Sequence, residues 1–246
     1  ASNGVAPETG IGGYAVSPTG HWDIDELIEL SEWTRKRVGP EGVFMIHNTL
    51  VPMFVTENFA SHVVGLEFTY GKLSEDVPPL EDLPLEWTFP GSRSRGAITT
   101  GTVERSAPRR IYTLHALAAL MTNITPWRTN PEMVEVFKML RPLGDIASYR
   151  FDDWRTPAVV LEGKRCYPAV FSKAGEAYLV LANFSGQART VTCAVRADKL
   201  PEPLAGIGSA EIVLPGPSRA LSVERLTGAG ESIALPADGA VLIRLK

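Results

Sequence analysis

Two short apolar stretches end in residues that can do chemistry. GVFMIHNT at 42–49 runs into His47 and Asn48, and HVVGLEFTYG at 62–71 sets Glu67 among Leu66, Phe68 and Tyr70. A carboxyl group such as that of Glu67 can give or take a proton. An imidazole such as that of His47 can hydrogen-bond a hydroxyl or set the pKa of a neighbouring acid. Buried without a partner, either group would cost several kcal/mol, so both are expected at the mouth of a sheet rather than inside it. Strand alternation puts Val63, Gly65 and Glu67 on one face, and Val43, Met45 and His47 on one face of the preceding strand. Glu57, in the connecting segment, is a second carboxylate that could reach the same place. Its other reading is a carboxylate at a helix start, where the dipole favours it.

Other chemical groupings are weaker. His21, Trp22, Asp23 and Asp25 form an HWDID cluster, but the preference of a helix N-terminus for negative charge explains its acids equally well. No second histidine stands at metal-binding spacing from His21. Cys166 and Cys193 lack the CxxC spacing of a metal or redox site and read as small core residues, with a disulfide between neighbouring strands left open. GIGG at 10–13 is not the GxGxxG of a dinucleotide site, and no GxSxG is present. His115 falls within an apolar helical pattern and reads as a core or interface residue. Arg93 and Arg95 could clamp a carboxylate or phosphate, with solvation as the default. Asn123 and Asn183 each begin a glycosylation sequon of a length that recurs by chance.

The elements that must position these groups follow from periodicity. IGGYAVSP at 11–18 reads as a strand. A helix follows, with Asp23, Asp25 and Glu26 in its first turn, Ile24, Leu27 and Ile28 on one face, and Arg35, Lys36 and Arg37 in its last turn before Gly39-Pro40. The two apolar stretches are the next strands, with both faces buried. Residues 71–95 form a long loop with four prolines, Trp87 and Phe89, and a loop of this length is commonly functional. A short strand is expected at 94–101. PRRIYTLHALAALMTN at 108–123 predicts a helix with an apolar stripe of Ile111, Leu114, Leu117, Ala118 and Met121. A second helix is expected over 130–145, capped by Asn130, with Pro131 at its first position and Met133, Val136, Phe137 and Leu140 facing inward.

Beyond Asp145 the pattern changes. An aromatic linker at 146–156 carries Tyr149, Phe151 and Trp154. From 157 onward, short alternating stretches separated by turn residues predict an antiparallel β-sandwich. The fold class is thus α/β plus all-β.

Composition limits the function. With 44% hydrophobic and 21% charged residues, the 246-residue chain is an ordinary globular protein large enough for a sizeable core. A net charge of −4 without a basic block argues against nucleic acid, and no apolar run approaches the roughly 20 residues of a membrane span. No cofactor signature is present.

Residues 1–145 hold three or four β-then-α units, whereas a complete (β/α)8 barrel takes about 200–250 residues. Half a barrel would leave open sheet edges. The chain is therefore expected to be the C-terminal part of a larger protein, or one chain of a heteromeric enzyme. Late barrel units, a terminal helix FKMLRPLGD, an aromatic linker, AYLVLANFSG and a closing LPADGAVLIRLK together resemble the C-terminal half of (β/α)8-barrel glycoside hydrolases of the α-amylase-like and α-galactosidase-like kind. The resemblance implies a partial (β/α)8 (TIM) barrel at 1–145, a linker at 146–156 and a β-sandwich domain at 157–246. It implies a carbohydrate substrate cleaved by paired carboxylates, and an N-terminal half or second chain completing the barrel. Glu67 and Glu57 are the candidate catalytic carboxylates. His47, Asn48, Tyr70 and Trp87 are the candidate substrate contacts, the aromatics because flat rings suit the apolar faces of pyranoses. Phe89 and Trp127 are further stacking candidates. A non-catalytic carbohydrate-binding or scaffold module is the alternative. A sugar-phosphate barrel enzyme is a third reading, for which no phosphate site is visible.

Overall fold

The computed structural model describes residues 24–47, 58–64, 77, 79–82, 98–101, 108–126 and 130–246. The first helix, α1 (Ile24–Val38), has Asp25 and Glu26 in its first turn and Arg35, Lys36 and Arg37 in its last, as the helix dipole favours. Gly39 ends it with a left-handed φ of 75°. Arg35 turns back to donate to the carbonyls of Gly42 at 3.0 Å and Pro40 at 2.9 Å, which latches the chain onto the following strand. Gly42 is required there, because a Cβ would meet the Val38 carbonyl oxygen at 2.1 Å.

β1 (Met45–His47), β2 (His62–Val64), β3 (Ile98–Gly101) and β4 (Ile124–Pro126) form one sheet in sequence order, every pair parallel. The amino ends of β1 and β2 are stitched by Ser61. Its Oγ accepts from the Phe44 N–H at 2.9 Å, and its own N–H donates to the Phe44 carbonyl at 2.9 Å.

Between β3 and β4 runs α2 (Arg109–Met121). The sequence predicts a stripe, and every residue of that stripe is buried. The burial goes further, because Leu114 through Met121 are buried without interruption. A helix that is apolar all round must be covered all round. Much of the cover comes from the C-terminal sheet, whose Tyr167, Phe171, Tyr178 and Val180 share one apolar cluster with α2.

The next helix, α3 (Pro131–Phe137), begins as expected: Asn130 Oδ1 accepts from the Met133 N–H at 2.9 Å, with Pro131 in the first turn. It stops earlier than the sequence pattern suggests and continues as a 3₁₀ turn over Lys138–Leu143. Pro142 lies inside that turn, where it can donate no hydrogen bond and its ring crowds the preceding turn. Within the stretch read as a linker, β5 (Arg150–Asp152) joins a sheet. Phe151 packs on Phe171 at 4.9 Å between ring centroids.

The remaining strands are β6 (Val159–Glu162), β7 (Cys166–Lys173), β8 (Glu176–Asn183), β9 (Arg189–Val195), β10 (Ala210–Leu214), β11 (Arg219–Ala220), β12 (Glu231–Leu235) and β13 (Gly239–Leu245). They build a six-stranded antiparallel sheet, β11-β10-β13-β8-β7-β5, and a three-stranded one, β12-β9-β6. A short helix, α4 (Val223–Thr227), is capped by Ser222 and buries Leu226.

The six-stranded sheet is covered on both sides. Along β8, Tyr178, Val180 and Ala182 join the cluster around α2, while Ala177, Leu179 and Leu181 join a second cluster with Val191, Cys193 and Ile233 of the smaller sheet. This explains why AYLVLAN reads as an unbroken apolar run: an antiparallel strand with one wet face would alternate. Both cysteines are free and buried, and burial pushes the Cys193 thiol up to about 12.

Candidate functional site

Parallel pairing brings four strand ends to one edge. His47 is in register with Val64, Val64 with Thr100, and Thr100 with Thr125. Neighbouring strands lie about 4.8 Å apart, so the His47 and Thr100 backbones are separated by about 10 Å across this edge. The carboxyl edge of a parallel sheet is where α/β folds place their ligands, because loops leaving several strands converge there. His47 closes β1, as the sequence implies, and its backbone stands at this edge. His62 opens β2 at the opposite end, with Nδ1 3.0 Å from Ser61 Oγ, where it belongs to the stitch between β1 and β2.

The other residues singled out by sequence, Asn48, Glu57, Glu67, Tyr70 and Trp87, lie outside the described residues, as do His21, Asp23, Phe89, Arg93, Arg95 and Trp127. Asp25 stands exposed in the first turn of α1, in the helix-dipole role. His115 is buried in α2, and burial lowers its pKa to about 3, so it is a neutral core imidazole. Among the described residues no group of three or more His, Cys, Asp or Glu side chains could hold a metal ion. Among them, too, no helix is long and apolar enough to cross a membrane.

Glu176 is a carboxylate held by several partners. Tyr149 Oη donates to its Oε2 at 2.7 Å, Lys173 Nζ lies 3.4 Å from the same oxygen, and Lys246 Nζ lies 3.9 Å from Oε1. Burial pushes this carboxyl up, but the bonds from Tyr149 and Lys173 outweigh it and hold the group below its usual value. A carboxylate occupied in this way fastens the β7–β8 hairpin and the C-terminal Lys246 to Tyr149, just before β5, rather than offering an acid or base.

One arrangement joins residues that no local sequence pattern connects. Glu81, Trp154, Arg165 and Tyr167, distant in sequence, meet at the corner between β6 and β7. The aromatic linker was the only sign of it, and aromatic content alone carries no address for a contact some 80 residues away.

No family model matches the chain, and no curated protein does. Solved structures do. An alpha-amylase from Geobacillus thermoleovorans, solved with acarbose, aligns at 13% identity and a TM-score of 0.56, over 92% of this chain and 58% of that one. A maltogenic alpha-amylase from Thermotoga neapolitana aligns at 11% identity and a TM-score of 0.57, over 88% and 58%. A β-L-arabinopyranosidase from Geobacillus stearothermophilus aligns at 11% identity and 0.53, over 94% and 56%. At such identity the likeness is one of fold. The chain has a glycoside-hydrolase-like fold and spans somewhat more than half the length of these structures.

Proposed function

We propose that this chain is the C-terminal part of a glycoside hydrolase. Residues 1–145 would be the later units of a (β/α)8 barrel, 146–156 the linker and 157–246 a β-sandwich domain. The observation that carries the reading is the four-stranded parallel sheet in sequence order, with its carboxyl ends in register, joined to two antiparallel sheets. The fold likeness to three sugar-cleaving enzymes supports it.

Glu67 follows Val64 by three residues, a chain reach of about 11 Å from the end of β2. Asn48 directly follows His47. In this reading Glu67 and Glu57 are the candidate carboxylates. One carboxylic acid protonates the glycosidic oxygen as the bond to the anomeric carbon breaks, and a second carboxylate attacks that carbon or activates a water against it. A separation of about 5–5.5 Å would give retention and about 6.5–9.5 Å inversion. His47, Asn48, Tyr70 and Trp87 would hold the sugar.

The rest of the barrel would come from an upstream half of the same protein or from a second chain. Leu30 and Trp33 of α1 are 59% and 63% exposed, and Val43, just before β1, and Met45, its first residue, are 62% and 40% exposed. Four large apolar side chains on adjacent elements fit a surface that another unit covers better than they fit open solvent.

The test is sugar release by the protein together with its upstream half, assayed on starch, xylan and galactoside substrates. Hydrolysis that falls at least 100-fold in Glu67→Gln supports the assignment. Hydrolysis untouched by that change removes Glu67 from the mechanism, and binding without turnover favours a carbohydrate-binding module instead.

A further inference from the structure

The amino end of α2 is built against its own dipole. Arg109 and Arg110 stand in its first turn with no acid beside them, where a helix N-terminus favours negative charge. Pro108 precedes them and supplies no side-chain cap. Burial begins only at Ile111, since residues 108–110 are exposed. Two arginines are tolerable here because acids from other elements meet them. Arg109 Nε lies 3.4 Å from Glu132 Oε1 of α3. Arg110 Nε donates to Asp238 Oδ2 at 2.7 Å and its Nη2 to Oδ1 at 3.1 Å, a two-pronged pair between residues 128 apart in sequence.

Asp238 sits in the turn between β12 and β13 with a left-handed φ of 44°. Glycine adopts that conformation without strain, whereas aspartate adds a carboxylate. The turn is fixed from beneath. The Asp238 N–H donates to the Ser185 carbonyl at 3.0 Å. Asn183, fully buried, donates through Nδ2 to the carbonyls of Pro236 and Gln187, both at 2.8 Å, and accepts from the Ser185 N–H at 3.0 Å. Asp238 thus presents its carboxylate from a rigid mount.

The place of the pair in the fold gives it a use. α2 joins β3 to β4, and a helix between two parallel strands runs back against them. Only Thr122 and Asn123 separate its carboxyl end from the start of β4. Its amino end therefore stands on the side of the carboxyl edge that carries His47, and residues 102–108 lead to it from β3. A partly exposed ion pair contributes little to global stability, but a two-pronged guanidinium–carboxylate contact fixes orientation. We infer that Asp238 is a positioning residue for the chemistry at this edge. Through Arg110 it holds the start of α2, and with it the connection 102–108, in place beside the other strand ends. The inference rests on the proposed glycoside cleavage at that edge.

Asp238→Gly and Arg110→Ala, made in the protein together with its upstream half, test it. Glycine relieves the turn of its strained φ, so a turn-forming role alone predicts no loss of activity in Asp238→Gly. Expected is a kcat for glycoside hydrolysis about tenfold lower in each variant with KM changed by less than about twofold, because misplaced reacting groups are read in kcat. The double variant should be no worse than either single one, since both remove the same contact. Arg110→Lys, which keeps the charge and loses the second prong, should recover part of the loss. Melting temperatures should stay within about 4 °C of the unaltered protein. Amide exchange of residues 102–107 should be about fivefold faster in both single variants. An unaltered kcat, losses that multiply in the double variant, or exchange at the unaltered rate overturns the inference. Should the assembled protein cleave no glycoside, the proposed function falls. Faster exchange at 102–107 then still supports the hold of Asp238 on this connection, and equal exchange overturns it.

Discussion

Tyr167 Oη lies 2.7 Å from Glu81 Oε2, a hydrogen bond between residues 86 apart in sequence that ties the antiparallel sheet to the segment beside α2. The same oxygen accepts from the Leu80 N–H. Burial, with the Glu81 carboxylate beside it, pushes the Tyr167 phenol well above its usual range, so it remains a proton donor at any working pH. Tyr167→Phe keeps the ring packing against Trp154 and Phe184 and removes only the hydroxyl. It is expected to cost about 1–2 kcal/mol in urea unfolding, since it strips the buried Leu80 N–H of its acceptor. An unchanged midpoint would mean that the contact contributes nothing.

Adjacent residues of β8 face different cores. Leu179 belongs to the cluster between the two antiparallel sheets and Val180 to the cluster against α2, both fully buried. Leu179→Ala is expected to cost about 2–5 kcal/mol and Val180→Ala about 2 kcal/mol, by the methyl groups removed and the cavities left. In a sheet with one solvated face, one of two neighbours would be nearly neutral. Chemical denaturation of the two single variants decides, and a neutral Val180→Ala would refute the doubly covered sheet.

Much of this architecture is legible in the local sequence. The ends of α1 follow from its charges and the Asn130 cap from residue type, because both are local effects. The strands β6 to β10, β12 and β13 follow from apolar runs and turn residues, whereas the two-residue β11, exposed and without an apolar run, does not. Two features escaped because they depend on contacts distant in sequence. The residues on either side of the expected α2 stripe are buried only because the sheet of Tyr178 and Val180 lies over that helix. Glu81 and Trp154 come together where Tyr167 and Arg165 bond Glu81, Leu80 and Val77 at the β7 corner. Of the candidate site, the placement of His47 at a strand end was legible from the polar stop after an apolar run. The roles of Glu57 and Glu67 depend on loops and on other strands that meet them, which single-strand patterns do not encode.

The exposed apolar side chains of α1 give a prediction that separates folding from assembly. Trp33→Ser and Leu30→Ser remove groups that are 63% and 59% exposed, so each should change the stability of the chain by less than about 0.5 kcal/mol. If an upstream unit covers this face, the double variant should weaken its association by tenfold or more, read by titration calorimetry against the separately produced upstream half. Equal affinity for the double variant and the unaltered chain would place the interface elsewhere.

His115 supplies the pH dependence. It is 2% exposed in α2, and burial lowers its pKa from 6.5 to about 3. The unfolded chain takes up this proton near pH 6.5, while the folded chain refuses it until about pH 3. Between those values the unfolded state binds more protons, so stability falls as the pH falls, by up to about 1.4 kcal/mol per unit. The Glu176 carboxyl, held low by Tyr149 and Lys173, adds to the same slope as the pH drops through the ordinary carboxylate range. Asp152, raised mainly by burial, works in the opposite direction there. The His115 contribution sets in over the window from pH 6.5 to 5. Urea unfolding at pH 7, 6 and 5 should show a clear decline for the unaltered chain and a nearly flat response for His115→Leu, in which an apolar side chain replaces the imidazole. Parallel declines in the two proteins would show that another group controls acid stability.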